Sequence, residues 1–129
     1  MRSRGAILAV LFAAACASAP REPATPLAGF ANDPAALERG RKLFVGTCAG
    51  YCHVAGGQGL GNAPDLLDCE WRHGGSDPEI FAVLRAGVPG TPMLGFGGKV
   101  PDEDLWRVLA YLRSASRCAG ARPLLEKSR

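Results

Sequence analysis

The chain lacks the features that would place it in several common classes of protein. Its 129 residues contain no run of about 20 apolar residues, the length that a helix needs to span a bilayer. Its charge is almost balanced, with 15 Lys and Arg against 12 Asp and Glu, and it has no basic stripe of the kind that binds nucleic acid. Alternating β patterns of useful length and internal repeats are also absent. The sequence therefore argues against a nucleic-acid-binding protein and against a β-sheet fold.

The first 17 residues have the pattern of a secretory signal. Arg2 and Arg4 precede a short apolar run that ends in small residues. Cys16 offers a second interpretation, in which it is lipidated and becomes the N-terminus. Both interpretations stay open, and both predict an exported, periplasmic protein that is either soluble or lipid-anchored to a membrane. Residues 18–32 contain three prolines, which predict an extended tether before the folded part.

The folded part, residues 33–117, is predicted to contain three helices, with residues 118–129 forming a polar tail. Each helix start has a capping sequence: Asp33-Pro34, Ser76-Asp77-Pro78-Glu79 and Pro101-Asp102-Glu103-Asp104. Two glycine-rich loops, residues 54–66 and 87–101, separate the helices. A module this small and this rich in glycine buries a limited core, so we expect a staple or a cofactor at its centre.

The segment CAGYCH, Cys48–His53, contains the residues with the most distinctive chemistry. C-x-x-C-H is the attachment signature of a c-type haem, but here three residues separate the cysteines instead of two. A variant haem site, another metal site and a chance cluster are the three interpretations. Two further cysteines, Cys69 and Cys118, remain as a pair. In an exported protein such a pair predicts a disulfide, with free buried thiols as the alternative.

A haem bound by His53 needs a sixth ligand on its opposite face, and the sequence offers few. Met93 lies about 40 residues downstream in a glycine-rich loop, away from any apolar stripe, which favours a ligand over a core residue. His73 is the other histidine, and its position just before a helix start favours a surface or capping role. We expect Trp71 to pack under the edge of the haem.

From residue 34 to residue 114, the order of these elements resembles a class I monohaem cytochrome c. The resemblance implies an all-α, class I cytochrome c fold, with three main helices around one covalently bound haem c. It implies attachment through Cys48 and Cys52, axial ligation of the iron by His53 and Met93, and a carbonyl of Pro64 that orients His53. It also implies that the first and last helices cross where Gly40 and Phe44 meet Val108 and Tyr111.

This chain departs from the family by the extra residue between Cys48 and Cys52. Because the porphyrin fixes the positions of the two vinyl groups, we expect the extra residue to bulge outward. Gly50, at the centre of the segment, can adopt a positive φ that would strain most residues.

The function implied is one-electron transfer by a monomer that is not itself an enzyme. The resemblance extends to small cytochromes that serve periplasmic dehydrogenases, including quinoprotein alcohol dehydrogenases, and an oxidase or another cytochrome is the natural acceptor. Two other classes stay open. An iron without its Met93 ligand would bind small molecules or act like a peroxidase, and a chain without haem would be a zinc- or copper-binding lipoprotein.

Overall fold

The structure, a computed structural model, describes residues 24–118. In chain order it contains α1 (Leu27–Phe30), α2 (Pro34–Leu43), a π turn (Phe44–Cys48), α3 (Asp77–Ala86) and α4 (Asp102–Ala115). Within this part of the chain, β pairing is limited to isolated bridges, which confirms the prediction of an all-α fold. The three predicted helices are α2, α3 and α4. None of the described helices is both long enough and apolar enough to cross a membrane.

The helix starts agree with their capping sequences. The carboxylate of Asp33 accepts a hydrogen bond from the amide of Ala35 at 2.9 Å, and Pro34 occupies the first turn of α2. Ser76 and Glu79 form the predicted capping box at the start of α3. Local chemistry therefore fixes where both helices begin.

The crossing of α2 and α4 is the main helix contact of the domain. A Cβ atom at Gly40 would collide with the backbone carbonyl of Arg107, so only glycine allows the helices to approach this closely. One turn further along, the rings of Phe44 and Tyr111 lie 5.7 Å apart. Val108 is buried beside them. The crossing that the family resemblance implies is therefore present.

Two hydrophobic cores share α4. The cysteine-side core consists of Phe44, Leu67, Val108 and Leu112, with Cys48 and Ala49 packed against it. The methionine-side core consists of Ile80, Leu84, Leu105 and Leu109, with Met93 and Trp71 packed against it. Because α4 contributes two residues to each core, it connects the two halves of the domain.

One acidic residue at the start of α4 is buried instead of facing solvent. Asp104 is 4 % exposed and accepts paired hydrogen bonds from Arg39 of α2, each 2.6 Å long. Arg107 adds a third at 2.8 Å. The hydrogen bonds from Arg39 hold the pKa of Asp104 below its ordinary value. This carboxylate therefore links α2 to α4 in addition to lying at the positive end of the helix dipole.

The end of the predicted tether differs from the expectation. Residues 24–32 contain α1, and Leu27 packs against the methionine-side core. The guanidinium of Arg107 lies 4.8 Å from the ring of Phe30. The contacts of Leu27 and Phe30, both partly buried, hold the segment against the domain instead of leaving it extended. The predicted signal (residues 1–17), Cys16, the first part of the tether and the tail after Cys118 lie outside the described residues.

Candidate haem-binding site

The segment Cys48–His53 leaves α2 through the π turn, in which backbone hydrogen bonds join residues five positions apart. The amide of Ala49 donates to the carbonyl of Phe44 at 2.9 Å, and the amide of His53 donates to the carbonyl of Cys48 at 3.1 Å. In a C-x-x-C-H segment the first cysteine and the histidine are four positions apart, the spacing of an ordinary helical turn. Residues 48–53 thus form a further turn of the same width, here called the wider turn, which absorbs the extra residue and bonds the amide of His53 to the carbonyl of Cys48.

Gly50 does not use the positive φ that a glycine at this position allows. The described residues with positive φ are other glycines, and Gly50 is not among them. A Cβ atom at Gly50 would meet nothing within 4 Å, and the neighbouring Tyr51 is 84 % exposed. The extra residue thus extends toward solvent without any conformation that requires glycine, because the wider turn has already accommodated it.

His53 is buried, and one of its ring nitrogens has a protein partner. Its Nδ1 lies 3.1 Å from the carbonyl oxygen of Pro64, and its side chain and backbone together are 5 % exposed. Because a carbonyl can only accept, Nδ1 donates its proton and Nε2 keeps a free lone pair. Burial lowers the pKa of His53, although the bond to Pro64 partly opposes this. The ring is therefore a neutral imidazole with Nε2 available to a metal.

The glycine-rich loop after His53 folds back on itself, and this brings Pro64 to the imidazole. The amide of Leu60 donates to the carbonyl of Cys52 at 2.9 Å, and the amide of Leu66 donates to the carbonyl of Gly57 at 2.9 Å. Gly57 has a φ of 84°, which favours glycine at this bend. The backbone of the loop thus determines the position of the Pro64 carbonyl.

Cys48 and Cys52 are both free thiols and both partly buried. Burial raises the pKa of Cys48 to about 11. Cys48 lines a narrow apolar crevice between the two cores. The cysteine-side wall of the crevice consists of Leu43, Thr47, Cys48 and Val108, and the methionine-side wall of Leu84, Phe96, Val100 and Leu105.

These surroundings fit a haem. The crevice is apolar on both walls, as the two faces of a porphyrin require, and a cysteine lies at its edge. The neutral, oriented imidazole of His53 fits an iron ligand. The fit therefore rests on the crevice and on the hydrogen bond of His53.

Met93 is partly buried and packs against the methionine-side core, but it is not among the residues that line the crevice. Its carbonyl accepts a hydrogen bond from the amide of Val88 at 3.0 Å. Gly87, with a φ of 73°, ends α3, and a Cβ atom there would collide with the carbonyl of Met93. Close backbone packing at Gly87 therefore places the loop that carries Met93.

Two other residues singled out in the sequence, His73 and Trp71, are not among those that line the crevice. His73 is exposed, and Trp71 packs on the methionine-side core with the guanidinium of Arg113 5.4 Å from its ring. Among residues 24–118, no group of three or more His, Cys, Asp or Glu side chains is arranged to hold a metal ion.

The structure also connects the end of the domain to the loop that carries Pro64. Cys69 is joined to Cys118, with their Cα atoms 5.4 Å apart. Next to this pair, the side chain of Arg117 forms an ion pair with Asp65. Sequence reasoning missed the ion pair, because the partners are 52 positions apart and no local spacing relates them.

Comparison with known proteins gives a family and several relatives. The family described as cytochrome c oxidase, cbb3-type, subunit III matches residues 35–112. The cbb3-type cytochrome c oxidase subunit CcoP of Rubrivivax gelatinosus is 36% identical over 93 residues, which are 70% of this chain and 30% of the relative. The subunit FixP of Azorhizobium caulinodans is 32% identical over 114 residues, 79% of this chain and 39% of the relative. The chain thus spans about a third of the length of these curated relatives.

Solved structures show the same fold. Cytochrome cL from Hyphomicrobium denitrificans superposes with a TM-score of 0.60 at 24% identity, over 70% of this chain and 52% of that one. Cytochrome cL from Methylophaga aminisulfidivorans gives a TM-score of 0.60 at 21% identity, over 72% of this chain and 69% of that one. These matches confirm the cytochrome c fold that the sequence predicts.

Proposed function

The chain belongs to the family of c-type cytochrome domains described as cytochrome c oxidase, cbb3-type, subunit III, and it carries electrons through a covalently bound haem c. We propose the following residues as the haem site. Cys48 and Cys52 form the thioether bonds, and His53 and Met93 are the axial ligands. Pro64 orients His53 through its carbonyl.

The single observation that supports this assignment best is the hydrogen bond between His53 and Pro64. A buried imidazole whose Nδ1 donates to a backbone carbonyl at 3.1 Å has its tautomer and its ring orientation determined. Ordinary core histidines need a partner too, but this one directly follows a pair of free cysteines, of which Cys48 lines an apolar crevice.

When bound, haem c supplies an iron that gains and loses one electron. The residues of the chain determine how readily it does so. The crevice lies between the two apolar cores, and the thioether of Met93 favours reduced iron compared with a second imidazole. The hydrogen bond from Nδ1 of His53 to Pro64 makes the imidazole a more basic ligand, which favours oxidised iron instead. We propose an electron carrier and not a catalyst.

The partners are proposed from two sources. The named relatives are subunits of cbb3-type oxidases, which supports a respiratory oxidase as the acceptor. The donor proposed from the sequence is a periplasmic dehydrogenase, with quinoprotein alcohol dehydrogenases as one kind. Redox encounters of this type bury little surface and are brief.

Export to the periplasm is proposed with the function. The pairing of Cys69 with Cys118 supports an oxidising compartment, where disulfides persist. The predicted signal and the alternative of a lipidated Cys16 agree with the same location.

The first experiment is the intact mass of the full chain, produced in a bacterium with c-type haem attachment machinery. We expect the mass of the processed chain plus one haem, and a rise of two protons on reduction of Cys69–Cys118. The same spectrum identifies the N-terminus, lipidated or not. A chain without haem, in a host that loads a control cytochrome, would overturn the assignment of CAGYCH.

A second experiment tests the distal ligand by replacing Met93 with alanine. We expect haem to stay attached, the visible spectrum to change and the reduced protein to bind carbon monoxide. Leu94→Ala is the matched control, because Leu94 is adjacent and 68 % exposed and should leave all three unchanged. If the parent binds carbon monoxide as readily as the variant, Met93 is not a ligand and the iron has an open position.

A further inference from the structure

The segment that follows α4 contacts the haem loop at several points. Residues 116–118, here called the C-terminal strap, lie against residues 54–69, the loop that contains Pro64. The amide of Arg117 donates to the carbonyl of Leu67 at 2.8 Å, and its guanidinium donates to the carbonyl of Gly56 at 3.3 Å. The same guanidinium forms an ion pair with Asp65.

These contacts lie on both sides of Pro64, whose carbonyl accepts the hydrogen bond from His53. Asp65 directly follows Pro64, and its other carboxylate oxygen accepts the amide of Leu67 at 2.8 Å. Gly56 lies three residues after His53. Arg117 therefore joins the two arms of the loop, one leaving the imidazole and the other carrying the carbonyl that the imidazole contacts.

The disulfide adds a covalent limit to the same movement. Cys118 is the next residue after Arg117, and it is joined to Cys69, which follows Leu67 by two positions. Leu67 is itself buried in the cysteine-side core. The loop is thus connected to the end of α4 by backbone, side-chain and covalent links within a few residues of Pro64.

A single exposed ion pair would not justify a role beyond stability. The Arg117 side chain is 50 % exposed, and pairs of that kind contribute between about 0 and 1 kcal/mol. The arrangement is informative because one arginine contacts both arms of the loop and a disulfide adjoins it.

We propose that Arg117, Asp65 and the Cys69–Cys118 disulfide are positioning residues, which keep the Pro64 carbonyl against His53 and thereby set the reduction potential of the haem. The inference rests on the proposed role of His53 as an iron ligand. A hydrogen bond from Nδ1 makes the imidazole a stronger electron donor, which favours oxidised iron. Loosening the strap weakens that bond and raises the potential.

The sign of the change separates this role from a simple charge effect. Removing a positive charge near the haem favours oxidised iron, so Arg117→Ala should lower the potential if only charge matters. Positioning predicts the opposite direction. Arg117→Lys keeps the charge but cannot reproduce the paired contacts of a guanidinium, and the Cys69→Ser/Cys118→Ser variant changes no charge.

The experiment measures the reduction potential of the haem-loaded protein for the parent and these three variants, with hydrogen exchange at the amides of Leu66 and Leu67. We expect Arg117→Lys and the double serine variant to shift the equilibrium toward reduced iron by about three- to tenfold, where tenfold corresponds to about 59 mV. Exchange at the two amides should become faster. Arg117→Ala should also raise the reduction potential, but by a smaller amount, because the loss of its positive charge lowers the potential.

Arg41→Ala is the matched control, because Arg41 is 47 % exposed and pairs with Glu38 on α2, away from the loop. It should leave the potential and the loop amides unchanged. Lower stability without a rise in potential in both Arg117→Lys and the serine variant would overturn the inference and leave the haem assignment intact. A parent chain without haem would instead overturn the proposed function and this inference with it.

Discussion

The two halves of the domain position their proposed ligands by different means. On the cysteine side, the loop that carries Pro64 is connected to the segment after α4 by the ion pair between Asp65 and Arg117 and by the Cys69–Cys118 disulfide. On the methionine side, the loop that carries Met93 is placed by close backbone contacts at Gly87. Long-range side-chain links stabilise one ligand, and local backbone geometry stabilises the other.

The difference matches what each ligand requires. An imidazole is planar and has two distinct nitrogens, so its orientation and its tautomer must both be controlled. A thioether has a flexible side chain and one sulfur, and it needs mainly to be close. The cysteine side, which must control both the orientation and the tautomer of its ligand, therefore contains more long-range contacts than the methionine side.

The largest expected effect disrupts both halves at once. Gly40→Val places a side chain against the carbonyl of Arg107 and separates α2 from α4, which serves both cores. We expect a loss of about 3 kcal/mol or more in the free energy of unfolding, measured by denaturant titration of the loaded protein. Gly46→Ala is the control, because its Cβ would meet nothing within 4 Å, and it should unfold close to the parent. Equal losses in both variants would show that the helix contact is not the cause.

Two matched cavity-creating substitutions test whether the two cores are independent units. Leu109→Ala empties the methionine-side core and Leu112→Ala the cysteine-side core, from residues that are 0 % and 2 % exposed on the same helix. Each should cost about 2 to 5 kcal/mol. In hydrogen exchange, Leu109→Ala should loosen residues 87–101 first, and Leu112→Ala should loosen residues 54–69. Loosening of the same loop by both variants would mean that the cores are not separate units.

The methionine-side loop can be tested by two glycines with similar φ. Gly87 and Gly90 have φ values of 73° and 75°, but only at Gly87 would a Cβ collide with the carbonyl of Met93. Alanine at Gly90 should cost about 1 kcal/mol from the backbone alone. Alanine at Gly87 should cost about 1 to 3 kcal/mol more and change the visible spectrum. A Gly87→Ala protein with the parent spectrum would show that this contact does not place Met93.

The smallest effect is a response of the cysteine side to acid. The hydrogen bond from the amide of Leu67, with help from Arg117, holds the pKa of Asp65 below its ordinary value. The stability from this carboxylate is therefore present above about pH 4 and is lost as the pH falls through the lowered pKa. Hydrogen exchange corrected for pH should show residues 54–69 loosening on acidification more than residues 87–101.

Two asparagine variants check the source of that response. Asp65→Asn should remove part of the difference between the loops, since its side chain no longer titrates. Asp68→Asn alters a nearby carboxylate that accepts the amide of Glu70 and not Arg117, and it should keep the difference. A response that survives Asp65→Asn unchanged would assign the acid sensitivity to another group.

Much of the fold was predictable because its determinants are local. Asp33 and Pro34 start α2, and Ser76 with Glu79 starts α3, each by chemistry within four residues. The glycine at position 40 was identified from the family resemblance, and the structure gives its physical reason in the carbonyl of Arg107. Local caps and a family pattern were sufficient for the arrangement of the helices.

The parts that could not be predicted depend on residues far apart in the chain. Asp104 looks like an ordinary first-turn acid, and its burial depends on Arg39, 65 positions earlier. The ion pair between Asp65 and Arg117 leaves no periodic trace in the sequence either. Leu27 and Phe30 lie among prolines, and their partners, the methionine-side core and Arg107, are far away in the sequence. The sequence predicts that the extra residue bulges outward, but it does not show that Gly50 would do so without a positive φ.

The wider turn at Cys48–His53 bears on how such sites are found in genomes. The structure keeps the hydrogen bond from the amide of His53 to the carbonyl of Cys48 although one residue has been added. A search restricted to two residues between the cysteines would pass over this chain. A pattern that also admits a third residue, provided that a helix start, a proline and a downstream methionine follow in the same order, would include it. The number of residues between the cysteines is therefore less informative than whether the backbone can still form the hydrogen bond between the histidine amide and the carbonyl of the first cysteine.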